Sequence, residues 1–312
     1  MGPSRRRAGA VVKTLHAIGF GYCAEALAHL LAPRGWRISG TSRTVQGAAG
    51  ITAKGFAGHV FDGTAGAPEA AAALAKASHV LVSAPPERAG DPVLRAGGAS
   101  MRQAQGLAWI GYLSTIGVYG DAQGEWVDED TPPRGRQDRA VRRIEAEQAW
   151  LAFGAETGRN VQIFRLAGIY GPGRNILLNL RDGTARRIVK PGQVFNRIHV
   201  ADIAQALAAA MARGQPGRIY NLTDDEPAAP DAVLVHGARL LGMAAPAPVP
   251  FDAATLSPMA ASFYDGSRRV RNHRLKHELA VELHYPTFRE GLRALAAELV
   301  PPVAAAGEGA GP

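Results

Sequence analysis

Six residues near the N-terminus, Gly19-Phe20-Gly21-Tyr22-Cys23-Ala24, leave little choice of architecture. An apolar stretch over 13–18 leads into them as a buried strand. Residues 22–31 leave them with apolar positions at helical spacing. In that strand–turn–helix setting, the spacing Gly-x-Gly-x-x-Ala has a physical meaning. Gly19 allows a tight turn, Gly21 lets a ligand approach the backbone, and Ala24 keeps helix and strand close. The start of the helix then offers N–H donors and a partial positive charge, which suits a pyrophosphate. Gly19, Phe20, Gly21, Tyr22 and Ala24 are therefore candidate dinucleotide contacts. A purely structural turn is the competing reading.

The alternation continues beyond this turn. Strands are expected over 36–41, 58–61, 79–84, 107–114 and 161–166, with helices over 67–76 and 139–157. After residue 166 the pattern loosens. A Gly171-Pro172-Gly173 loop is followed by helices over 175–187 and 201–211 and by extended segments over 195–200 and 218–222. A helix and a Pro-rich connection fill 227–250, and two more helices are expected over 268–279 and 287–299. The fold class is α/β: a Rossmann-type doubly wound parallel sheet with a smaller C-terminal substrate lobe. Residues 13–171, completed by 195–222, would form the nucleotide-binding core. Residues 172–194 and 223–300 would form the lobe, and 1–12 and 301–312 are expected as disordered tails.

Charge narrows the partner. The chain carries a formal +8 at pH 7, yet only five of its 35 basic residues are lysine. The arginines are scattered, clustering only at 5–7, 134–143 and 268–274. That distribution suits a basic surface and anionic small molecules, and no nucleic-acid partner is expected. No apolar run reaches the roughly 18 residues a membrane span needs, so no membrane association is expected either. Removing a leader at the basic start would cut into the first strand, so a cytoplasmic protein is expected. Cys23 is the only cysteine, which excludes an internal disulfide, and no metal is expected. The oligomeric state is open, with a homodimer compatible.

The second strand ends Gly40-Thr41-Ser42-Arg43, where a carboxylate would select NAD by bonding the ribose 2′-hydroxyl. Ser42 and Arg43 instead suit a 2′-phosphate, so NADP is favoured and NAD is the alternative. Asp62, after the third strand, would accept from the adenine amine or serve as a turn residue. Ser83, Ala84 and Pro85, ending the fourth strand, are expected along the dinucleotide path.

Four motifs occur in order: the glycine turn, Leu113-Ser114-Thr115-Ile116-Gly117-Val118-Tyr119-Gly120, Phe164-Arg165-Leu166-Ala167-Gly168-Ile169-Tyr170-Gly171-Pro172-Gly173, and Ile198-His199-Val200-x-Asp202-Ile203. This series resembles the extended short-chain dehydrogenase/reductases, the NAD(P)-dependent epimerase/dehydratase family, over about residues 13–299. The resemblance implies NAD(P)-dependent chemistry in a cleft between core and lobe, often on nucleotide-linked sugars. It also implies a Tyr-x-x-x-Lys pair at the start of the long helix, with an acid four positions after the Lys. Placing that acid on Glu147 puts Arg143 at the Lys position and Arg139 at the Tyr position. No tyrosine lies between Gly120 and Tyr170, and arginine is a poor proton donor because its pKa exceeds about 12. The chain is therefore similar to an atypical member.

Thr115 matches the Ser or Thr that bonds the reacting oxygen in such proteins. Dehydratases place Asp-Glu after it, whereas Ile116-Gly117 follows here, which argues against dehydration. Tyr119 and Tyr170 are the nearest candidate phenols. Arg139, Arg143, Asn196 and Arg197 are candidate substrate contacts; Asp202 is expected to cap the helix it begins, and His199 to pack. The leading expectation is hydride transfer on a carbonyl or carbinol carbon of a small molecule, with proton transfer from Tyr119, Tyr170, water or the substrate. The alternative is a non-catalytic NADP-binding sensor that kept the pocket and lost the pair.

Overall fold

The structure is a computed structural model describing residues 12–64, 67–252 and 255–299. The expected tails and the run Arg5, Arg6, Arg7 lie outside the described residues, apart from Val12.

The first half alternates strand and helix. Its elements are β1 (Thr14–Ile18), α1 (Tyr22–Leu31), β2 (Arg37–Ser42), α2 (Val45–Ala53), β3 (Ala57–Val60) and α3 (Pro68–Ala75). There follow β4 (His79–Val82), α4 (Pro92–Gln103), β5 (Trp109–Thr115), β6 (Trp126–Val127), α5 (Asp138–Thr157) and β7 (Val161–Leu166). The second half contains β8 (Gly168–Tyr170), α6 (Ile176–Arg181), β9 (Arg187–Val189), β10 (Arg197–His199), α7 (Val200–Arg213) and β11 (Ile219–Leu222). It closes with α8 (Pro230–Leu240), β12 (Pro248–Pro250), α9 (Pro258–Ser262), β13 (Arg269–Val270), α10 (His273–His277) and α11 (Phe288–Leu299).

Seven strands form one sheet in the order β11-β7-β5-β4-β1-β2-β3, every neighbouring pair parallel. Parallel strands need both faces covered. One face carries α1 and α7, with Leu27 and Leu207 fully buried. The other carries α3, α4 and α5, with Met101 and Trp150 inside. The chain runs outward from β1 through β3, then returns to place β4 on the other side of β1. That reversal opens a crevice at the carboxyl ends of β1 and β4, where ligands bind in sheets of this kind. A smaller cluster joins α6, α8 and α11 through Leu177, Val233, Phe288 and Leu292.

Two helices stand where the sequence reading expects none. In α2, two glycines weaken helix propensity; the Thr44 side chain caps it by accepting from Gly47 N, and Ala48 and Ile51 bury its inner face. In α4, Asp91 accepts from Val93 N and Leu94 N, with Pro92 at the first helical position.

Two expected helices are corrected. The helix over 175–187 stops at Arg181, where Gly183 takes φ 67° and turns the chain into β9. The helix over 268–279 is β13 followed by the short α10. There Val270 is buried, β13 pairs with β6, and the Asn196 side chain accepts from Val270 N, so long-range pairing overrides helical spacing.

Candidate active site at the carboxyl edge of the sheet

The glycine turn is built as a rigid corner. Gly19 takes φ 87°, a left-handed conformation that favours glycine, and a Cβ there would stand 2.8 Å from Ser83 Oγ. Its N–H donates to Thr41 Oγ1, Phe20 N donates to the Thr41 carbonyl, and Ser83 Oγ donates to the Gly19 carbonyl. Ser83 N and Ala84 N both donate to the Ile18 carbonyl, which ties the end of β4 to the end of β1. Gly21 differs from Gly19. It is the N-cap of α1 in an extended conformation, and a Cβ on it would meet nothing within 4 Å. The turn therefore leaves open space in front of the first N–H groups of α1, the shape a pyrophosphate requires.

Ser42 and Arg43 follow at the end of β2, with Arg43 exposed. Asp62 is exposed and accepts from Thr64 N and Thr64 Oγ1, contacts that hold its carboxyl below the usual carboxylate range. Asp62 thus already closes a turn. Tyr22 donates to the Pro172 carbonyl, joining the glycine turn to the loop after β8.

Beside this corner lies a cleft of 1610 Å³. Of the candidate residues, Pro85, Thr115, Arg139, Arg143, Tyr170, Asn196 and Arg197 line it, whereas Gly19, Phe20, Gly21, Tyr22, Ala24, Ser42, Arg43, Asp62, Ser83 and Ala84 do not. Thr115 ends β5, half-buried, and its Oγ1 accepts from Gly117 N at 3.1 Å. Its hydroxyl proton remains available to a ligand. Arg143 Nη1 donates to Tyr112 Oη at 3.0 Å and to the Leu113 carbonyl at 2.8 Å, which docks it along β5 just before Thr115. Arg139 donates to Ser262 Oγ and lies over the Phe263 ring, reaching across to the end of α9. Arg197 donates to the Phe195 and Ala228 carbonyls. Asn196 is spent on structure: its Nδ2 donates to the Arg268 carbonyl and its Oδ1 accepts from Val270 N.

The two expected phenols are directed elsewhere. Tyr119 is buried, donates to Asn221 Oδ1 at 2.7 Å, and carries the Arg165 guanidinium over its ring. Burial pushes its pKa up to about 12. Tyr170 contributes to the cleft wall, but a Cβ on Gly291 of α11 would stand 2.1 Å from its hydroxyl. That hydroxyl is buried without a partner, and burial drives its pKa up. Neither is arranged as an acid for an oxygen held at Thr115.

The helix cap is also corrected. Because α7 begins one residue earlier than expected, His199 stands at the N-cap and accepts from Ala201 N through Nδ1. Burial pushes the His199 pKa down to about 4, so the ring is neutral as that bond requires. Asp202 falls in the first turn and accepts from His284 N and Tyr285 N instead.

The charge of the cleft was only partly legible. Arg134, Arg136, Arg139, Arg142 and Arg143 approach along the start of α5; Arg174, Arg197 and Arg268 come from other segments. Asp121 and Asp265 are the only carboxylates among the lining residues. None of the eight arginines takes part in an ion pair among the described residues, although thirteen such pairs occur elsewhere. Arg268 and Arg174 were missed as site residues. The basic cluster 268–274 was the available signal, but read as a helix it implied a solvated face.

The all-parallel sheet, its glycine turn and the crevice at the switch point define a Rossmann-type α/β protein. Residues 99–223 match the model of the NAD dependent epimerase/dehydratase family, and the fold is similar to that of extended short-chain dehydrogenase/reductases. Members of that family bind NAD(P) and include epimerases, dehydratases and reductases. A conserved protein of unknown function from Silicibacter pomeroyi DSS is similar at 48% identity and TM-score 0.84, covering 92% of this chain and 99% of that one. Protein YeeZ of Escherichia coli strain K12 is 26% identical over 298 residues, 88% of this chain and 97% of its own. The dTDP-glucose 4,6-dehydratase of Bacillus anthracis, solved in complex with NAD, shares the fold at TM-score 0.70 and 18% identity, covering 91% and 96%. Among the described residues, no helix is long and apolar enough to cross a membrane.

Proposed function

We propose that this chain is an NAD(P)-dependent oxidoreductase, with NADP preferred, acting on a carbonyl or carbinol carbon of an anionic small molecule. Nucleotide-linked sugars are one such class. The observation that carries the reading is the Thr115 hydroxyl opening into a cleft whose eight arginines are free of ion pairs. A bound dinucleotide supplies hydride chemistry at its nicotinamide ring, and Gly19, Gly21 and the start of α1 have the space and donors to hold its pyrophosphate.

The chain's own residues do the rest. Thr115 donates a hydrogen bond to the reacting oxygen, and Arg143, fixed by Tyr112 and Leu113, adds positive potential where negative charge develops. With Tyr119 bonded to Asn221 and the Tyr170 hydroxyl buried against Gly291, the proton is assigned to water or to a group of the substrate. Positioning then accounts for much of the catalysis.

Thr115→Val is the direct test. Turnover of NADPH with a responsive carbonyl substrate should fall by about tenfold or more, as for removal of one aimed donor. Thr115→Ser should restore it, and NADPH affinity should stay unchanged in both. A valine variant as fast as the parent would remove Thr115 from the chemistry. No NADPH oxidation with any of a broad panel of carbonyl compounds, beside tight NADPH binding, would favour a sensor instead.

Cofactor choice has a separate test. Arg43 is exposed, so Arg43→Ala should leave stability within about 0.5 kcal/mol. Loss of a charge-assisted bond to a 2′-phosphate should weaken NADPH by about 1.5–3 kcal/mol, with NADH hardly affected. Equal losses for both cofactors, or tighter NADH than NADPH binding in the parent, would overturn the NADP preference.

A further inference from the structure

We propose that Arg268 recognises an oxyanion group, carboxylate or phosphate, that the substrate carries close to its reacting carbon. This rests on the oxidoreductase reading and narrows it. Arg268 lies just before β13 and lines the cleft. Its Nη1 donates to the Ile116 carbonyl at 3.3 Å, and Ile116 directly follows Thr115. Its Nε is buried with no hydrogen-bond partner.

The guanidinium is under-compensated compared with others in the protein. Arg165, which is buried, is paired with Glu147 at 2.7 Å, and half-buried Arg218 is paired with Glu278, whereas half-buried Arg268 has no carboxylate partner among the described residues. Of the cleft arginines, Arg143 and Arg197 are held by carbonyls, and Arg134, Arg136 and Arg174 stand exposed, where water supports their charge. The nearby Asp121 makes no ion pair with Arg268; its carboxylate accepts from Gln123 N and Ser267 N. Burial accordingly lowers the Arg268 pKa, with Asp121 offsetting only part of that effect. Arginine does not shed its proton in practice, and with its Nε unpartnered among the described residues the guanidinium keeps donor capacity and charge for an anionic ligand.

Position then specifies the ligand. Consecutive Cα atoms are only about 3.8 Å apart, so the Ile116 carbonyl places Arg268 within a few bonds' reach of an oxygen held at Thr115. A carbonyl compound bearing its charge on an adjacent carbon, such as a 2-oxo or 3-oxo acid or a phosphorylated equivalent, bridges the two. A neutral ring with its charge on a distant diphosphate leaves Arg268 unpaired.

The test uses the full chain saturated with NADPH and titrates oxalate and inorganic phosphate by calorimetry. At least one anion should bind the parent, and Arg268→Gln should weaken it at least tenfold. Arg268→Lys, which keeps the charge but not the planar fork, should fall between them. Arg181→Gln, an exposed substitution at a residue that does not line the cleft and that removes the same charge, should have no effect. The tighter anion identifies carboxylate or phosphate as the group recognised. Equal anion affinity in parent and Arg268→Gln, or no binding of either anion to the parent, would overturn the assignment. NADPH fluorescence separates the two failures. A parent that does not bind NADPH loses the oxidoreductase reading, whereas intact NADPH binding with Arg268-indifferent anion binding removes Arg268 alone. Should Arg268→Gln not fold, Arg268→Lys still decides.

Discussion

Gly21→Asp should abolish NAD(P)H binding while leaving the protein as stable as before. A Cβ at Gly21 meets no atom within 4 Å, and the backbone there is extended, so the substitution fits the chain itself. Aspartate is moreover a good N-cap and should stabilise α1 by a few tenths of a kcal/mol. The same carboxylate stands where a pyrophosphate would approach the helix, excluding it by volume and by charge. A loss of at least about a hundredfold, close to 2.8 kcal/mol, is expected in NADPH titration. Gly19→Ala provides the contrast: strained at φ 87° and crowded by Ser83 and Ala84, it should lower the melting temperature. Unchanged dinucleotide affinity in Gly21→Asp would remove the glycine turn from the site.

The second large effect concerns the ion pair beneath the cleft. Glu147 of α5 is 4% exposed and Arg165 of β7 is 2% exposed, and Ser114 donates a further hydrogen bond to Glu147. Glu147→Gln keeps the shape but leaves a buried guanidinium without its counter-charge, at an expected cost of about 3–5 kcal/mol. That is a large share of the 5–15 kcal/mol by which a domain is typically stable. Replacing both partners, as Glu147→Leu with Arg165→Met, should recover most of the loss. Chemical denaturation checks both, and a cost below about 1 kcal/mol for the single change would refute the argument. The pair matters to function because α5 carries Arg139, Arg142 and Arg143 into the cleft. Loosening α5 from β7 should blur their positions before the fold is lost.

The resemblance that marks Glu147 as the acid of a helix motif points to a residue whose work here is structural. It anchors the helix, and two arginines occupy the positions where a tyrosine and a lysine are expected. Arg143 is fixed against β5, while Arg139 reaches Ser262 across the cleft mouth. This departure shifts attention from proton transfer to charge.

What the sequence by itself determined is the order of elements and the site's first corner. Apolar runs mark inner strands such as β4 and β5, because a strand covered on both faces must be apolar nearly throughout. Gly19, Gly21 and Ala24 mark the crevice because their constraint is local, a matter of backbone conformation and close approach. Tertiary structure decided the rest. The engagement of Tyr119 with Asn221, the clamp of Asn196 on Val270, and the strand at 269–270 where helical spacing suggested a helix all depend on distant segments. Most of all, the approach of Arg268 to the Ile116 carbonyl follows from the pairing of β13 with β6, which brings a distant segment beside the end of β5. Periodicity tells which face of an element is buried, but only the packed chain tells which charges remain there without a partner.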